Sequence, residues 1–164
     1  MCPASAPKLF YDGRQYDVSA SIGHRLVHLM TLMRREVETR MARHGLTDAQ
    51  WKPLWMLQSG RAATAIELAR EMMIDAGAIT RMVDRLEAKG LVERVRSETD
   101  RRVVHLRLTP AGEAVVGHVP HVLASVNNDF LRGFSDKDFQ QLQQLLDRMV
   151  TNGAAIQQGE AAAA

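Results

Sequence analysis

The densest chemistry in this chain is carried by four arginines and the small residues around them. Arg81 and Arg85 stand four apart with Gly77 and Thr80 beside them, and Arg101 and Arg102 close the polar run from Ser97 to Arg102. A guanidinium is a planar fork of donors that matches the acceptor edge of guanine or a pair of phosphate oxygens. Arg81 is placed for a base edge. Thr80 and Gly77 share its face, where the missing side chain at Gly77 permits close approach to a backbone or a thymine methyl. Arg85, further along, is placed for phosphate. Asp84 sits among them, and a carboxylate facing phosphate would repel, so it is expected to pair with a wing or helix arginine, orienting it and restraining the wing.

Other residue types offer weaker chemistry. His24 and His28 have zinc-ligand spacing on a helix, as His118 and His121 do on another, and a four-ligand site would form if the two helices converged. Solvated histidines are the alternative. Trp51 and Trp55, at i and i+4, present a flat apolar wall, although tryptophans beside a core are ordinarily core. Cys2 is the only cysteine, which excludes an intramolecular disulfide and a cysteine-cluster metal site. Next to the initiator methionine it has nothing visible to activate it and reads as an incidental thiol. No G-x-S-x-G, P-loop, H-E-x-x-H or G-x-G-x-x-G occurs, and Glu36 and Glu38, two apart on a helix, do not face one another. An enzyme is therefore not expected, and neither is a cofactor.

The elements that must position the arginines are marked by local chemistry. Thr64 to Glu67 is a T-x-x-E capping box opening a helix to about Met73, and Thr64 is also counted among the DNA-facing residues. Asp75 caps the next helix, with Ile74 and Ile79 as its hydrophobic staple. Ile79, Met82, Val83 and Leu86 form one apolar stripe, which leaves Gly77, Thr80, Arg81, Asp84 and Arg85 on the opposite side. Gly90 is the stop. Two short helices so close together form a helix-turn-helix. Leu91 to Arg96 reads as a strand, and Val103 to Leu108 alternates as a half-buried one, with a charged tip between them. That combination is a winged helix-turn-helix, whose helix enters the major groove while the wing reaches an adjacent minor groove.

The stretch from Asp75 to Arg94, then Asp100-Arg101-Arg102, then Leu108-Thr-Pro-Ala-Gly112 resembles the multiple antibiotic resistance regulator (MarR) family of bacterial transcription factors, over about residues 19 to 150. The resemblance implies a homodimer, a palindromic operator in double-stranded DNA, and repression relieved by a small ligand. It makes Asp100 the wing residue that steadies an arginine and Arg102 the minor-groove finger, with Arg101 left to a phosphate. It places a ligand pocket between the first, second and fifth helices, where His24, His28, Trp51 and Trp55 would meet a small aromatic acid or phenol. His28 matches a ligand-contacting position. Zinc sensors occur in the family too, and a winged helix that binds protein rather than DNA is a further alternative.

The whole chain is read as mainly α with a small β-hairpin wing, with six helices. Residues 1–17 form an arm, 47–109 the DNA-binding domain, 18–46 and 110–152 long amphipathic helices of a dimerisation module, and 153–164 a frayed tail. Periodicity alone equally allows a monomeric bundle. The helix beginning at Pro110 is expected to kink at Pro120. Net charge is +2 over 164 residues. Residues 61–110 carry ten Lys/Arg against eight Asp/Glu and residues 111–164 three against six, so the acidic excess lies away from the arginines. No apolar run approaches a membrane span and no signal peptide is visible, so a cytoplasmic protein with no membrane partner is expected.

Overall fold

The structure, a computed structural model, describes residues 9–100 and 102–161. Cys2, residues 1–8 of the expected arm, Arg101 and residues 162–164 of the expected tail lie outside the described residues. After a short 3-10 turn at Gly13–Gln15, the elements run α1 (Ile22–Ala42), α2 (Asp48–Gln58), α3 (Ala65–Met72), α4 (Ala76–Ala88), β1 (Val92–Arg96), β2 (Val104–Leu108), α5 (Pro110–Val116), α6 (Val119–Phe130) and α7 (Asp136–Ala161). The fold is the expected helical one with a two-stranded antiparallel wing.

The chain divides into two compact units, one ending at Leu123 and one beginning at Ala124. In the first unit, Met41, Leu46, Leu54, Leu68, Ile79, Val83, Leu86, Val92, Leu106 and Val116 form a core, each no more than 5% exposed. Each such side chain contributes about 2 kcal/mol by leaving water. Three residues of the stripe on α4 are fully buried, and Met82 packs half-buried against them. The opposite face of α4 is thereby committed to solvent.

Both helix starts in the helix-turn-helix are capped as their sequences require. Thr64 Oγ1 accepts from Glu67 N–H at 3.2 Å, and the Glu67 carboxylate accepts from the N–H groups of Thr64 and Ala63. Those bonds, the one from Ala63 foremost, hold the Glu67 carboxyl below its ordinary range. Asp75 Oδ1 accepts from Ala78 N–H at 2.8 Å. Thr64 also bridges to His105, and Leu106 N–H donates to Ala63 O at 2.8 Å. The start of α3 is thus stitched to the wing as a partial third strand.

Met73 closes α3 in the left-handed conformation at φ 53° and is 92% exposed. A side chain there strains against its own backbone and gains no burial in return. Met73→Gly is expected to stabilise the protein by about 1 kcal/mol, read as a melting temperature raised by about 3 °C. An unchanged or lower melting temperature would count against strain at this turn.

Two expectations about the C-terminal helices are corrected. The helix opening at Pro110 does not simply kink at Pro120. It ends at Val116, passes through a turn at Gly117 and His118, and restarts at Val119. The reason is steric: the proline ring at 120 conflicts with the carbonyl four residues earlier, that of Val116. The break leaves Pro120 in the first turn of α6, where an N–H is not needed. The last helix also continues to Ala161, past Asn152 where a frayed end was expected. Residues 153–161 hold three alanines and two glutamines, good helix formers, against two glycines. Ile156 there is 62% exposed.

In the second unit, Ser135 opens α7: Asp138 N–H donates to Ser135 Oγ at 3.3 Å, and Ser135 Oγ donates to Asp138 Oδ2 at 2.6 Å. Phe139, Leu145, Leu146 and Met149 on α7 are exposed. In the first unit, Ile22, Val27, Leu29, Met30 and Leu32 on α1 are exposed as well.

Candidate nucleic-acid interface

α4 is held at both ends, which gives its outer face a fixed direction. Asp75 caps its start, and Gly90, at φ 68°, ends it as Leu91 N–H donates back to Leu86 O at 3.0 Å. Gly77, Thr80, Arg81 and Arg85 are all exposed on the outer face. A Cβ added at Gly77 would stand 3.2 Å from Asp75 Oδ1 and in ordinary contact, 3.5 Å, with Arg81 Nη1, so the bare glycine spares the capping carboxylate and lies beside the Arg81 guanidinium. Thr80 Oγ1 donates to Ala76 O at 2.8 Å, which turns its methyl and lone pairs outward. Among the described residues neither Arg81 nor Arg85 has a carboxylate partner, so both forks stay available.

The wing tip is tied to itself. Ser97 Oγ accepts from the N–H groups of Thr99 and Asp100, both at 3.3 Å, and Val103 N–H donates to Asp100 O at 2.9 Å. Asp100 Oδ1 accepts from Arg102 N–H at 2.9 Å and lies 3.6 Å from Arg102 Nε. The Arg102 side chain, steadied at its base, is 94% exposed. Arg101, which was expected to take a phosphate, lies outside the described residues.

Asp84 finds the arginine partner that its position demanded, and it is one the sequence reading did not single out. Arg94 of β1 donates to Asp84 Oδ1 at 2.6 Å and also pairs with Glu87. The Asp84 hydrogen bond, with Glu87 adding to it, raises the Arg94 pKa above its ordinary value. Strand parity carried the signal. Val92 lies opposite Leu108 and Arg94 opposite Leu106, and directly opposed residues share a sheet face. Arg94 therefore leaves the sheet on the side of buried Val92 and Leu106, where a cation needs a partner.

Thr64 is half-buried in its cap and its bridge to His105, so its observed contacts are structural. The four expected ligand residues divide between two helices. His24 and His28 are exposed on α1, while Trp51 and Trp55 pack half-buried against the core. The Trp51 indole N–H already donates to Asp48 Oδ1 at 3.1 Å, and Asp48 also accepts from Lys52 at 2.8 Å and lies 3.4 Å from Arg34. A cleft of about 210 Å³ does form beside α2, between its start (Thr47, Ala49, Gln50) and α4 (Ala78, Arg81, Met82, Arg85), and includes none of those four residues. His118 does not meet the α1 pair either: its ring stacks on His44 at 4.3 Å. Among the described residues no cluster of three or more His, Cys, Asp or Glu side chains is arranged to hold a metal ion.

A model of the MarR family matches residues 46–104. The chain is similar to the multiple antibiotic resistance protein MarR of Escherichia coli, 36% identical over 92 residues that cover 56% of this chain and 64% of that protein. The match thus spans a little under two thirds of the curated relative. Among solved structures, the transcriptional regulator PA3341 is 32% identical with a TM-score of 0.68, over 82% of this chain and 99% of that one. A point mutant of the Escherichia coli protein, solved in complex with operator DNA, is 27% identical with a TM-score of 0.67, again over 82% of this chain and 99% of that one.

Proposed function

We propose that this chain, which belongs to the MarR family of transcriptional regulators, reads a palindromic operator as a homodimer and represses transcription until a small aromatic acid or phenol releases it. The observation that carries the DNA-reading part is the pair of exposed guanidiniums on α4, Arg81 and Arg85, beside a wing whose Asp100 steadies Arg102. The operator complex of a relative supports the same reading. On our reading, Arg81 with Thr80 and Gly77 meets base edges, Arg85 meets phosphate, and Arg102 enters the minor groove.

A twofold dimer sets two such heads about one DNA turn apart, which is what makes a palindrome the matching target. The exposed apolar residues of α1, and separately those of α7, support dimerisation, since a lone subunit would leave both sets in water. Residues 18–46 and 110–152 then serve the dimer, residues 47–109 read DNA, and the arm of residues 1–17 lies against the partner. No helix among the described residues is long and apolar enough to cross a membrane, which suits a cytoplasmic regulator, and no catalytic role is assigned.

The test is selection of duplexes from random-sequence DNA by the purified protein, followed by sedimentation of the complex. Enrichment of an inverted repeat bound by two subunits supports the proposal, and no enrichment sinks it. Hydroxybenzoates and phenols titrated into that complex test the ligand. Release with quenching of Trp51 and Trp55 fits a pocket beside α2, whereas release without quenching points to the cleft at Arg81 and Arg85. Zinc causing release in place of the aromatics would favour the metal-responsive alternative.

The wing has its own expected result. Arg102→Ala should weaken binding to every duplex and lower the slope of log affinity against log salt by about one. An unchanged affinity and slope would remove Arg102 from the residues that meet DNA, and the wing assignment with it.

A further inference from the structure

The geometry points to Arg94 as a positioning residue: by gripping both Asp84 and Glu87 it fixes the recognition helix α4 against the wing, and so sets the register in which Arg81 and Arg102 meet DNA together. The inference rests on the DNA-reading function proposed above and extends it to a residue that touches no base.

Three observations carry it. The first is placement. Arg94 sits in the middle of β1, opposite Leu106, and its side chain crosses from the hairpin to the last two turns of α4. The second is connectivity. α4 and the wing are joined covalently only through the turn at Gly90, and the second strand of the hairpin is tied to the start of α3, which leaves the swing and roll of α4 against the hairpin to side-chain contacts. A planar guanidinium bonded to two carboxylates one helical turn apart restrains both the swing and the roll of the helix, which a flexible ammonium on one carboxylate cannot do. The third is charge. Asp84 and Glu87 are the acidic residues inside α4 and together cancel Arg81 and Arg85, so Arg94 also decides whether that helix meets phosphate as a neutral or a positive surface.

Positioning and charge make different predictions once both carboxylates are removed too. The experiment measures anisotropy with two duplexes, one selected by the wild-type protein from random-sequence DNA and one scrambled. Three variants are compared at fixed salt: Arg94→Gln, Arg94→Lys, and the triple change Asp84→Asn, Glu87→Gln, Arg94→Gln. Arg94→Gln is expected to weaken the selected duplex about tenfold. Arg94→Lys should keep scrambled-duplex affinity near the wild-type value, and the triple variant, one unit more positive than wild type, should bind that duplex at least as tightly, yet both should lose most of the preference for the selected duplex. Partly exposed ion pairs add little to stability, so melting temperatures should stay within about 3 °C of wild type. Full recovery of preference in the triple variant would show that only charge was at stake, and wild-type preference in Arg94→Gln would show that neither was. Either result overturns the positioning role while leaving the DNA-reading function intact. If Arg94→Gln fails to fold, the other two variants still decide. A wild-type protein that selects no duplex overturns the underlying function and this inference with it.

Discussion

Arg81→Ala is expected to cost about 1–3 kcal/mol of affinity for a selected duplex, a tenfold to hundredfold loss, while binding to scrambled DNA changes far less. The asymmetry follows from where the guanidinium stands. It leaves the first turns of a helix capped by Asp75, beside Gly77, with no carboxylate partner among the described residues. A fork so available can donate two bonds to one base edge, and an alanine donates none. Arg85→Ala, one turn further on, should instead weaken both duplexes alike. Competition titrations separate the two outcomes. Equal losses on both duplexes for Arg81→Ala would move that residue to the phosphate set and leave base reading without its main donor.

What could be read from the sequence here is what is decided within four or five residues. The Thr64/Glu67 capping box, the Asp75 cap, the apolar stripe from Ile79 to Leu86 and the stop at Gly90 are each a local contest that one or two side chains settle. The wing tip was different: the pairing of Asp100 with Arg102 came from the family resemblance, although the contact itself spans only two positions. Even the commitment of the Trp51 indole to Asp48 lay within reach, three residues back on one helix.

The rest depended on meetings between distant residues. That Asp84 needed an arginine was plain, but Arg81 and Arg85 on its own helix and Arg94, Arg96, Arg101, Arg102 and Arg107 of the wing were all eligible, and the register of the hairpin selects Arg94. The i, i+4 spacing of His24 and His28 fixes a shared helix face without saying what that face meets, and it meets solvent in this chain. His118 likewise had no visible reason to find His44, whose ring comes from the turn after α1. Pro120 was visible as a disturbance, yet whether the helix bends or restarts depends on what the broken turn can pack against. Buried Val116 and Val119, one on each side of the break, anchor the two segments separately.

Gly112→Ala is expected to destabilise the fold by about 3 kcal/mol, the upper end of the usual cost of overpacking. In a helix interior exposed to water the same change would stabilise, because alanine is the better helix former. Here the sign is reversed by one contact. A Cβ on residue 112 would lie 2.0 Å from the carbonyl oxygen of Leu91 and 3.0 Å from its carbonyl carbon. Neither atom can step aside, since Leu91 O accepts from Thr109 N–H at 3.1 Å and Thr109 Oγ1 in turn accepts from Gly112 N–H at 3.1 Å. This knot joins the start of β1, the end of β2 and the first turn of α5. An intruding methyl therefore loosens the base of the wing as well as the helix. Thermal or urea unfolding of the purified variant measures the loss, and amide exchange should show the faster opening centred on Leu91 and Thr109. A variant as stable as wild type would mean that α5 can shift away from the hairpin at little cost, and that the wing's footing is softer than this close approach implies.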